Sequence, residues 1–538
     1  MEKIRNWWKQ DKRYLTMAKA VLMALLPVLC CLVYCAVQGR SIGEVYLPSS
    51  EWNDELFYYK QVEGIVNFGY PQGYFGFNES HALKLSFAAW SPVLVFPWIV
   101  WGMLFGWNMM SPIICNIFLM TLAAFLFVWL VRPNWKQLGI TSLLFCLYTP
   151  FVRYMLSVMP EVICFSLLII FYSLAVNYLN REKNYKLVVL FILSGLLTLM
   201  RPYMLLFMLL PAYFWIRKSR WKGLIGSAAV FAVVLAVYAA IKHYLGAEYF
   251  APLFFTDWVD AFFERGLFGG IRYTLGKLYY MGADFKGHTI QGFRTGLASG
   301  AFFAGYLIMM LVLLGQSLKD FVSLKTGQRQ DAAERRERLE TLKRQLVVEV
   351  HMAFSFVAML FALLLMYKLT EGSKHLLTFM AAGVFVVGTL ETKFYKKAVV
   401  IGAAFAYFYS YMALDPYDYQ VPFWEEQREV QLEDWREVFD KELQLSEENV
   451  PNYQNVVIWA FSDTVEDNVV QTPWQLLYGL PEGWGISCCT QGYLIQDFDN
   501  LQCGYMVTPA EGWLDILCKE AGYRELGRDE NMVLYKLK

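Results

Sequence analysis

Long apolar runs separated by short charged clusters make up most of the chain, as far as about residue 414. A run of about 20 apolar residues is long enough to cross the hydrocarbon core of a bilayer as a helix. No small-residue cleavage site follows the first run, so we read it as a retained span. The pattern predicts about eleven transmembrane helices, at residues 17–37, 111–131, 137–156, 160–179, 186–201, 203–216, 223–244, 298–318, 350–369, 375–391 and 398–414.

One apolar segment, 87–105, is left out of this set of spans. It contains Pro92, Pro97 and several tryptophans, a composition that suits the membrane interface. Counting it as a span would place Arg132, Lys136 and later basic clusters outside the cell. We therefore predict an interfacial or re-entrant helix in this segment.

The distribution of lysine and arginine predicts the topology. Basic clusters prefer cytoplasmic loops, and with the spans above they fall on the same side as the basic N-terminus. The N-terminus is then cytoplasmic and the C-terminus is external. Two external loops are predicted, at 38–110 and 245–297, and a cytoplasmic loop at 319–348. This arrangement indicates a cell membrane, with the bacterial plasma membrane favoured over that of the endoplasmic reticulum.

The C-terminal region has a different character. Residues 415–538 contain 24 Asp and Glu against 8 Lys and Arg, which is typical of a well-solvated surface. Val456–Phe461 and Met532–Lys536 have the pattern of strands, and Trp513–Ala521 that of a helix. The predicted fold class is therefore an α-helical polytopic membrane protein, residues 1–414, followed by a small extracytoplasmic α/β domain.

Composition restricts the chemistry. A chain that is 57% hydrophobic and 17% charged is not an ordinary soluble protein. The sequence has no Gly-rich phosphate loop, and its five histidines argue against a metal site built from histidines. Nothing in the pattern indicates nucleic-acid binding. Disulfides are possible if the C-terminal region is external, among Cys488, Cys489, Cys503 and Cys518.

Carboxylates occur at two places that the predicted topology puts on the external surface. Asp54 and Glu55 open a helix beyond the first span, and Glu161 follows Pro160 at the start of a later one. Neighbouring helical residues point about 100° apart, so at most one of Asp54 and Glu55 can address a given atom. Acidic residues also favour helix N-termini for purely structural reasons, so both interpretations stay open.

Cationic candidates lie on the same predicted surface. Arg201 stands between two apolar segments, where a guanidinium can bind phosphate oxygens or extend to lipid headgroups. Arg153, in the hairpin before Glu161, can pair with that carboxylate or contact a phosphate. Weaker polar candidates are Glu371, Lys374, His375, Glu79 and His81.

This arrangement resembles the GT-C class of integral-membrane glycosyltransferases, which includes protein O-mannosyltransferases and the aminoarabinose transferases acting on lipid A. In that class an Asp, often followed by Glu, opens an interfacial helix in the first external loop, and Asp54-Glu55 matches it. A Pro-containing helix before the second span also matches. Glu161 stands where Asp is usual, Arg201 where Lys is common, and Lys374-His375 where Arg-Tyr is common.

The resemblance implies transfer of a sugar from a polyprenyl-phosphate donor to an acceptor on the outer face, with inversion. It implies Asp54 as the base, Arg201 as the main contact to the donor phosphate, and Glu161 as a group that orients the acceptor. The acceptor can be a glycan, a lipid or a protein, and no obligatory metal cofactor is expected. Glu55 is a further catalytic candidate. Additional contacts to the donor phosphate are expected from Arg153, Lys374 and His375, and acceptor or structural support from Glu79, His81 and Glu371.

Two other interpretations remain. A transporter or flippase for a lipid-linked substrate would normally show internal repeats and charged or broken segments near the bilayer midplane. A non-catalytic scaffold would use the acidic C-terminal region to bind cell-envelope polymer, and Asp54 would then serve only as helix-end charge. Replacement of Asp54 by Asn separates the enzyme from the scaffold, since a scaffold should tolerate it.

Overall fold

The computed structural model is mainly helical. Among the residues that the structure describes, five helices are long and apolar enough to cross a membrane, namely Tyr14–Val37, Ser111–Val131, Glu161–Asn180, Pro202–Leu245 and Arg338–Met366. This confirms the predicted α-helical membrane architecture, while the number of crossings stays a prediction.

The structure describes residues 12–37, 39, 41–44, 53–69, 91–148, 150–245, 255–295, 299–326, 332–367, 369–387, 437–438, 441–442, 456–461, 485–501, 503–530 and 532–537.

The first part of the chain folds into a series of helices that follow the apolar runs. These are α1 (Lys12–Val37), α2 (Asn53–Phe68), α3 (Phe96–Phe105), α4 (Ser111–Val131), α5 (Trp135–Leu147), α6 (Pro150–Met155), α7 (Glu161–Asn180) and α8 (Asn184–Met200). Local signals fix several of their ends. At the start of α5, the Asn134 side chain accepts from the Gln137 N–H and the Gln137 side chain accepts from the Asn134 N–H, both at 2.9 Å.

The segment predicted to be interfacial is short in the structure. A 3₁₀ turn, Pro92–Val95, leads directly into α3, which ends at Phe105. Together they are too short to cross a bilayer core as a helix. The predicted span 137–156 is not one continuous helix, because α5 ends at Leu147 and α6 begins anew at Pro150. Proline lacks an N–H for the helical ladder, so it begins a helix more readily than it continues one.

The second half of the helical region contains fewer but longer helices. After a 3₁₀ segment, Pro202–Met208, these are α9 (Leu209–Leu245), α10 (Asp257–Thr295), α11 (Ser299–Thr326), α12 (Ala332–Met366) and α13 (Leu369–Val387). The two segments predicted to lie between spans are largely helical, since α10 fills most of 245–297 and α11 and α12 extend through most of 319–348. Their sides of the membrane stay predictions. The charged residues of 319–348 are good helix formers and prolong the apolar helices. The predicted span 398–414 lies outside the described residues.

The helix α9 contains a sharp reversal. Arg220 has φ 45° and ψ −118°, between the two spans predicted at 203–216 and 223–244. A Cβ atom on Gly223 would lie 2.4 Å from the Trp215 carbonyl oxygen, so the two arms approach more closely than any side chain permits. The sequence therefore folds this long helix into a tight hairpin at its basic centre.

The helix α7 is the most enclosed of the candidate spans. In its most apolar window, 78% of the residues are buried inside the protein. It packs against α4, α8 and α13, and its side chains contribute heavily to the main buried cluster. Because α7 begins at Glu161, the centre of the bundle carries a carboxylate at one end.

The C-terminal region contains a five-stranded sheet. Its strands are β1 (Val456–Phe461), β2 (Gly485–Thr490), β3 (Tyr505–Pro509), β4 (Arg524–Arg528) and β5 (Met532–Lys536), and the short helices are α14 (Gln491–Gln496) and α15 (Trp513–Glu520). The spatial order is β2-β1-β3-β5-β4, with β1 parallel to both neighbours and β5 antiparallel to both of its own. The two predicted strands and the predicted helix are all present.

The central strands β1, β3 and β5 carry buried side chains on both faces of the sheet. One face, with Ile458, Met506 and Val533, packs under Leu514 of α15. The alternate residues of the same strands belong to the main buried cluster of the helical bundle. Of the four cysteines considered for disulfides, Cys503 and Cys518 are buried, and the side chains of the other two lie outside the described part. The domain boundary at 415 stays a prediction.

Candidate active site

A buried turn between α6 and α7 forms the base of the candidate site. Asn116, inside the apolar helix α4, donates to the backbone carbonyl of Ser157 at 2.9 Å. The indole of Trp98 in α3 donates to the amide oxygen of Asn116, also at 2.9 Å. A polar side chain buried in an apolar helix needs such partners. Through them, the short helix α3 and the span α4 together fix the turn that precedes Glu161.

The helix α2 is attached to the same turn by a carboxylate. Glu55 is fully buried and accepts the backbone N–H of Val158 at 3.1 Å, across 103 positions of the sequence. Asp54 lies one position earlier, in the first turn of α2, and its side chain lies outside what the structure describes. The Glu55 carboxylate therefore faces the turn before Glu161.

The central contact of the site is an ion pair between Glu161 and Arg201. The Arg201 Nη2 atom donates to Glu161 Oε1 at 2.6 Å, and the two side chains are 1% and 0% exposed. Burying two charges is costly unless they meet with good geometry, and these two residues stand at the start of α7 and the end of α8. Glu161 is therefore paired with Arg201, a partner that the sequence did not indicate.

One oxygen of Glu161 is left without a partner. Its Oε2 atom is buried and has no hydrogen bond within the described part of the protein. Buried polar atoms are satisfied in the large majority of cases, and an exception calls for an explanation. A substrate hydroxyl group bound beside α7 would satisfy this oxygen.

Two further side chains extend the cluster to α13. Arg201 Nη1 donates to the Tyr203 hydroxyl at 3.1 Å, and the Tyr203 hydroxyl lies 3.0 Å from His375 Nδ1. If the tyrosine donates its proton, Nδ1 is the acceptor and the neutral ring carries its proton on Nε2. Arg201 Nη1 also approaches His375 Nδ1, at 3.3 Å. The cluster thus joins four elements around one carboxylate.

The structure brings together some of the sequence candidates and leaves others apart. Glu161, Arg201 and His375 meet directly, and Glu55 holds the adjoining turn. Arg201 is completely buried, so it does not extend to lipid headgroups as one interpretation allowed. Arg153 lies half-buried in α6. Candidates whose side chains fall outside the described residues are Asp54, Glu371, Lys374, Glu79 and His81.

Tyr203 is a member of the cluster that the sequence did not single out. It follows Pro202 directly, two positions after Arg201, and it lies in the 3₁₀ segment that opens α9. A 3₁₀ turn places side chains two or three positions apart within reach of a common partner. The Arg-Pro-Tyr sequence was therefore the available signal.

Other buried polar contacts lie deeper in the bundle. His351 in α12 lies 2.9 Å from the Tyr172 hydroxyl through Nδ1 and 3.1 Å from the Leu206 carbonyl through Nε2. Both ring nitrogens therefore have partners, which is the mark of a structural histidine. Within the described residues, no group of three or more His, Cys, Asp or Glu could hold a metal ion.

Comparisons with known proteins give similarities of fold at low sequence identity. No protein-family model and no curated protein sequence matches the chain. Among solved structures, the chain is similar to ArnT from Cupriavidus metallidurans bound to undecaprenyl phosphate, with 11% identity over 96% of this chain and 97% of that one and a TM-score of 0.39. It is also similar to the archaeal oligosaccharyltransferase AglB from Archaeoglobus fulgidus in complex with an inhibitory peptide and a dolichol-phosphate. That match has 13% identity over 94% of this chain and 70% of that one, with a TM-score of 0.45. At these scores the superpositions are loose, and no residue's role follows from them.

Proposed function

We propose that this protein is a membrane glycosyltransferase that moves a sugar from a polyprenyl-phosphate donor to an acceptor hydroxyl group. The observation that carries the proposal is the buried cluster of Glu161, Arg201, Tyr203 and His375 at one end of an apolar bundle. Charges are costly in such surroundings and tend to be retained for function. A lipid-linked donor suits the site, because its tail can remain among apolar helices.

The cluster provides the groups that inverting transfer needs. The acceptor hydroxyl must lose a proton as it attacks the anomeric carbon, and a carboxylate within hydrogen-bond reach can accept it. Asp54 is the proposed base, since its neighbour Glu55 fixes the start of α2 against the turn before Glu161. The unpartnered oxygen of Glu161 would orient the acceptor by accepting a hydrogen bond.

The departing phosphate needs positive charge. Arg201 is already oriented by Glu161 and Tyr203, so it requires little rearrangement when negative charge develops nearby, and such preorganised groups lower the barrier most. His375 lies on the same side of the cluster and would add a second donor. Lys374 and Arg153 are proposed as outer contacts to the phosphate. No metal is proposed to take part.

The decisive experiment uses the full-length protein in lipid nanodiscs with a panel of synthetic polyprenyl-phosphate monosaccharides and candidate acceptors. Release of polyprenyl phosphate is followed for the native protein, for Asp54→Asn, and for Asp499→Asn as a matched control on an exposed residue of the C-terminal region. We expect Asp54→Asn to abolish release while donor binding persists, and Asp499→Asn to behave as native.

Other outcomes would change the assignment. Release that survives Asp54→Asn would show that another group is the base. Movement of the intact donor across the membrane, without release of polyprenyl phosphate, would favour the transporter interpretation. If the native protein bound none of the donors, the glycosyltransferase proposal would be refuted.

A further inference from the structure

The helix α10 is a hairpin with a cationic pocket that the proposed reaction does not use. Gly266 has φ 67° and ψ −177°, which breaks α10 into a short arm, 257–265, and a long arm, 267–295. A Cβ atom on Gly270 would lie 2.8 Å from the Phe262 Cα, so glycine is needed where the two arms come together. The sequence thus builds a compact helical hairpin within the predicted external segment 245–297.

Polar contacts hold the two arms side by side. The Tyr273 hydroxyl of the long arm donates to Asp257 Oδ2 at 2.7 Å, and Lys277 pairs with the other oxygen of the same carboxylate. The Arg265 guanidinium lies 5.0 Å from the centre of the Tyr273 ring. The Asp257 carboxylate therefore holds Lys277, and the Tyr273 ring holds Arg265, so both arms are joined through polar and cation–π contacts.

Between the arms lies a cavity of about 620 Å³. The charged side chains along its wall are Arg265, Arg272, Lys277 and Asp257. Three cations face one carboxylate, so the pocket carries an excess of positive charge. Within the described residues Arg272 forms no ion pair, which leaves a guanidinium for an anionic ligand. Guanidinium and tyrosine hydroxyl donors are well suited to phosphate oxygens.

The surface next to the pocket is strongly apolar. Large side chains on this surface are exposed, among them Phe263 at 85%, Phe268 at 87% and Leu275 at 60%. On the long arm they follow helical spacing beside the cationic face, since Leu267, Ile271 and Leu275 recur every four residues. An exposed apolar stripe that borders cations is typical of a helix lying in the membrane interface.

The hairpin is anchored at the end of the bundle that holds the candidate active site. The Phe255 N–H, just before α10, donates to the Met366 carbonyl at the end of α12, at 2.8 Å. The next residue, Tyr367, has its ring centre 6.3 Å from that of His375. Only a few side chains thus separate the base of the hairpin from the buried cluster.

We propose that the α10 hairpin is a binding site for the phosphate group of a membrane lipid. The apolar stripe lies among the acyl chains. The headgroup phosphate enters the pocket between the arms and binds Arg272 and Lys277, next to Tyr280. Charge complementarity and the adjoining apolar surface both specify a phosphate that is attached to a lipid. The site is separate from the Glu161 cluster and does not depend on the proposed reaction.

Two variants test the pocket by independent means, in full-length protein reconstituted in phosphatidylcholine nanodiscs. Arg272→Gln removes one cation and is matched by Arg344→Gln, an exposed arginine on α12. Gly276→Leu fills the pocket without changing its charge, because a Cβ at Gly276 meets nothing within 4 Å. Its control is Gly282→Leu, which has the same open surroundings but does not line the pocket. Both leucine substitutions favour the helix, so folding is not endangered.

The probe is a fluorescent phosphatidic acid, and its retention is measured with and without inorganic phosphate as a competitor. We expect Arg272→Gln and Gly276→Leu each to weaken retention by about fivefold or more, with both controls unchanged and little competition by free phosphate. Equal retention by all variants would overturn the proposal, as would an equal loss in Arg344→Gln, which would indicate charge attraction without a site. Full displacement by inorganic phosphate would show that the pocket binds free phosphate and refute a lipid site.

Discussion

Two buried carboxylates, Glu161 at the start of α7 and Asp515 in α15, are completely enclosed but differ in how they are satisfied. Asp515 accepts from the Glu511 N–H at 2.8 Å, from Lys519 at 3.0 Å, from both terminal nitrogens of Arg528 at 3.0 and 3.1 Å, and from the Tyr535 hydroxyl. In the described part of the chain, Glu161 accepts from Arg201 alone and keeps one buried oxygen without a partner.

This difference separates a structural carboxylate from a candidate functional one. The donors around Asp515 come from α15, β4 and β5, so the residue fastens a helix to two strands and leaves no acceptor for a ligand. A fully satisfied network contributes rigidity, whereas a half-satisfied one is costly unless something else completes it. The free oxygen of Glu161 is therefore better explained by a substrate than by stability.

The largest expected effect concerns catalysis at Glu161. The substitution Glu161→Gln keeps the shape of the side chain and removes its charge, so the acceptor and Arg201 lose their orientation. We expect sugar transfer to fall by about 10²–10⁴-fold, measured as release of polyprenyl phosphate. Glu182→Gln is the matched control, since it lies just beyond the other end of α7 in an exposed pair with Arg217, and such pairs contribute little.

A loss of stability could imitate this result, because an unpaired buried Arg201 is itself destabilising. The double variant Glu161→Gln with Arg201→Leu removes both charges and should recover thermal stability relative to the single variant. Transfer should remain absent in the double variant if the pair is functional. Recovery of transfer together with stability would assign the pair a structural role and would break the contrast with Asp515.

The second effect is on the stability of the C-terminal sheet. Asp515→Asn removes the buried charge that accepts from Arg528, but Arg528 is partly exposed and keeps its pair with Glu525. The expected cost is that of hydrogen bonds to a charged group, about 1.5–3 kcal/mol. We expect faster hydrogen exchange in β3, β4 and β5 of the full-length protein, with α7 unchanged. Asp499→Asn, at an exposed aspartate of the same region, should leave hydrogen exchange as in the native chain. Unchanged protection in Asp515→Asn would show that the network is not what holds these strands.

Hydrophobic periodicity was sufficient to locate the most regular elements. The spans at 111–131 and 160–179, and the strands Val456–Phe461 and Met532–Lys536, appear in the structure at or very near the predicted positions. It did not predict the helix at 245–297, a segment that was placed between two spans and given no secondary structure. There the glycines serve to bring two helical arms together, a role that depends on tertiary contacts and not on local propensity.

The candidate residues were easier to recognise than their partners. Glu161, Arg201 and His375 stand out in sequence as charged or polar groups beside apolar segments. Their pairing joins positions 40 and 174 apart, and no periodicity reports on such contacts. Asp515 gave no comparable signal, since its spacing from Lys519 is common on exposed helices. Only the fold shows that Arg528 and Tyr535 also reach it.

The smallest expected effect is the response of the sheet to acid, which would sharpen the same contrast. Burial alone raises the pKa of Asp515, but hydrogen bonds from Arg528, Tyr535, the Glu511 N–H and Lys519 outweigh it and hold the pKa well below its usual range. A carboxyl with a lowered folded-state pKa contributes stability above its unfolded pKa of about 3.9 and loses it as the pH falls through the folded value. Protection of β5 against hydrogen exchange, corrected for the intrinsic effect of pH, should therefore be constant from neutral pH to about 5 and decline below about 4. Asp515→Asn should remove most of that decline, whereas the same decline in both proteins would place the acid sensitivity on other carboxylates of this acidic region.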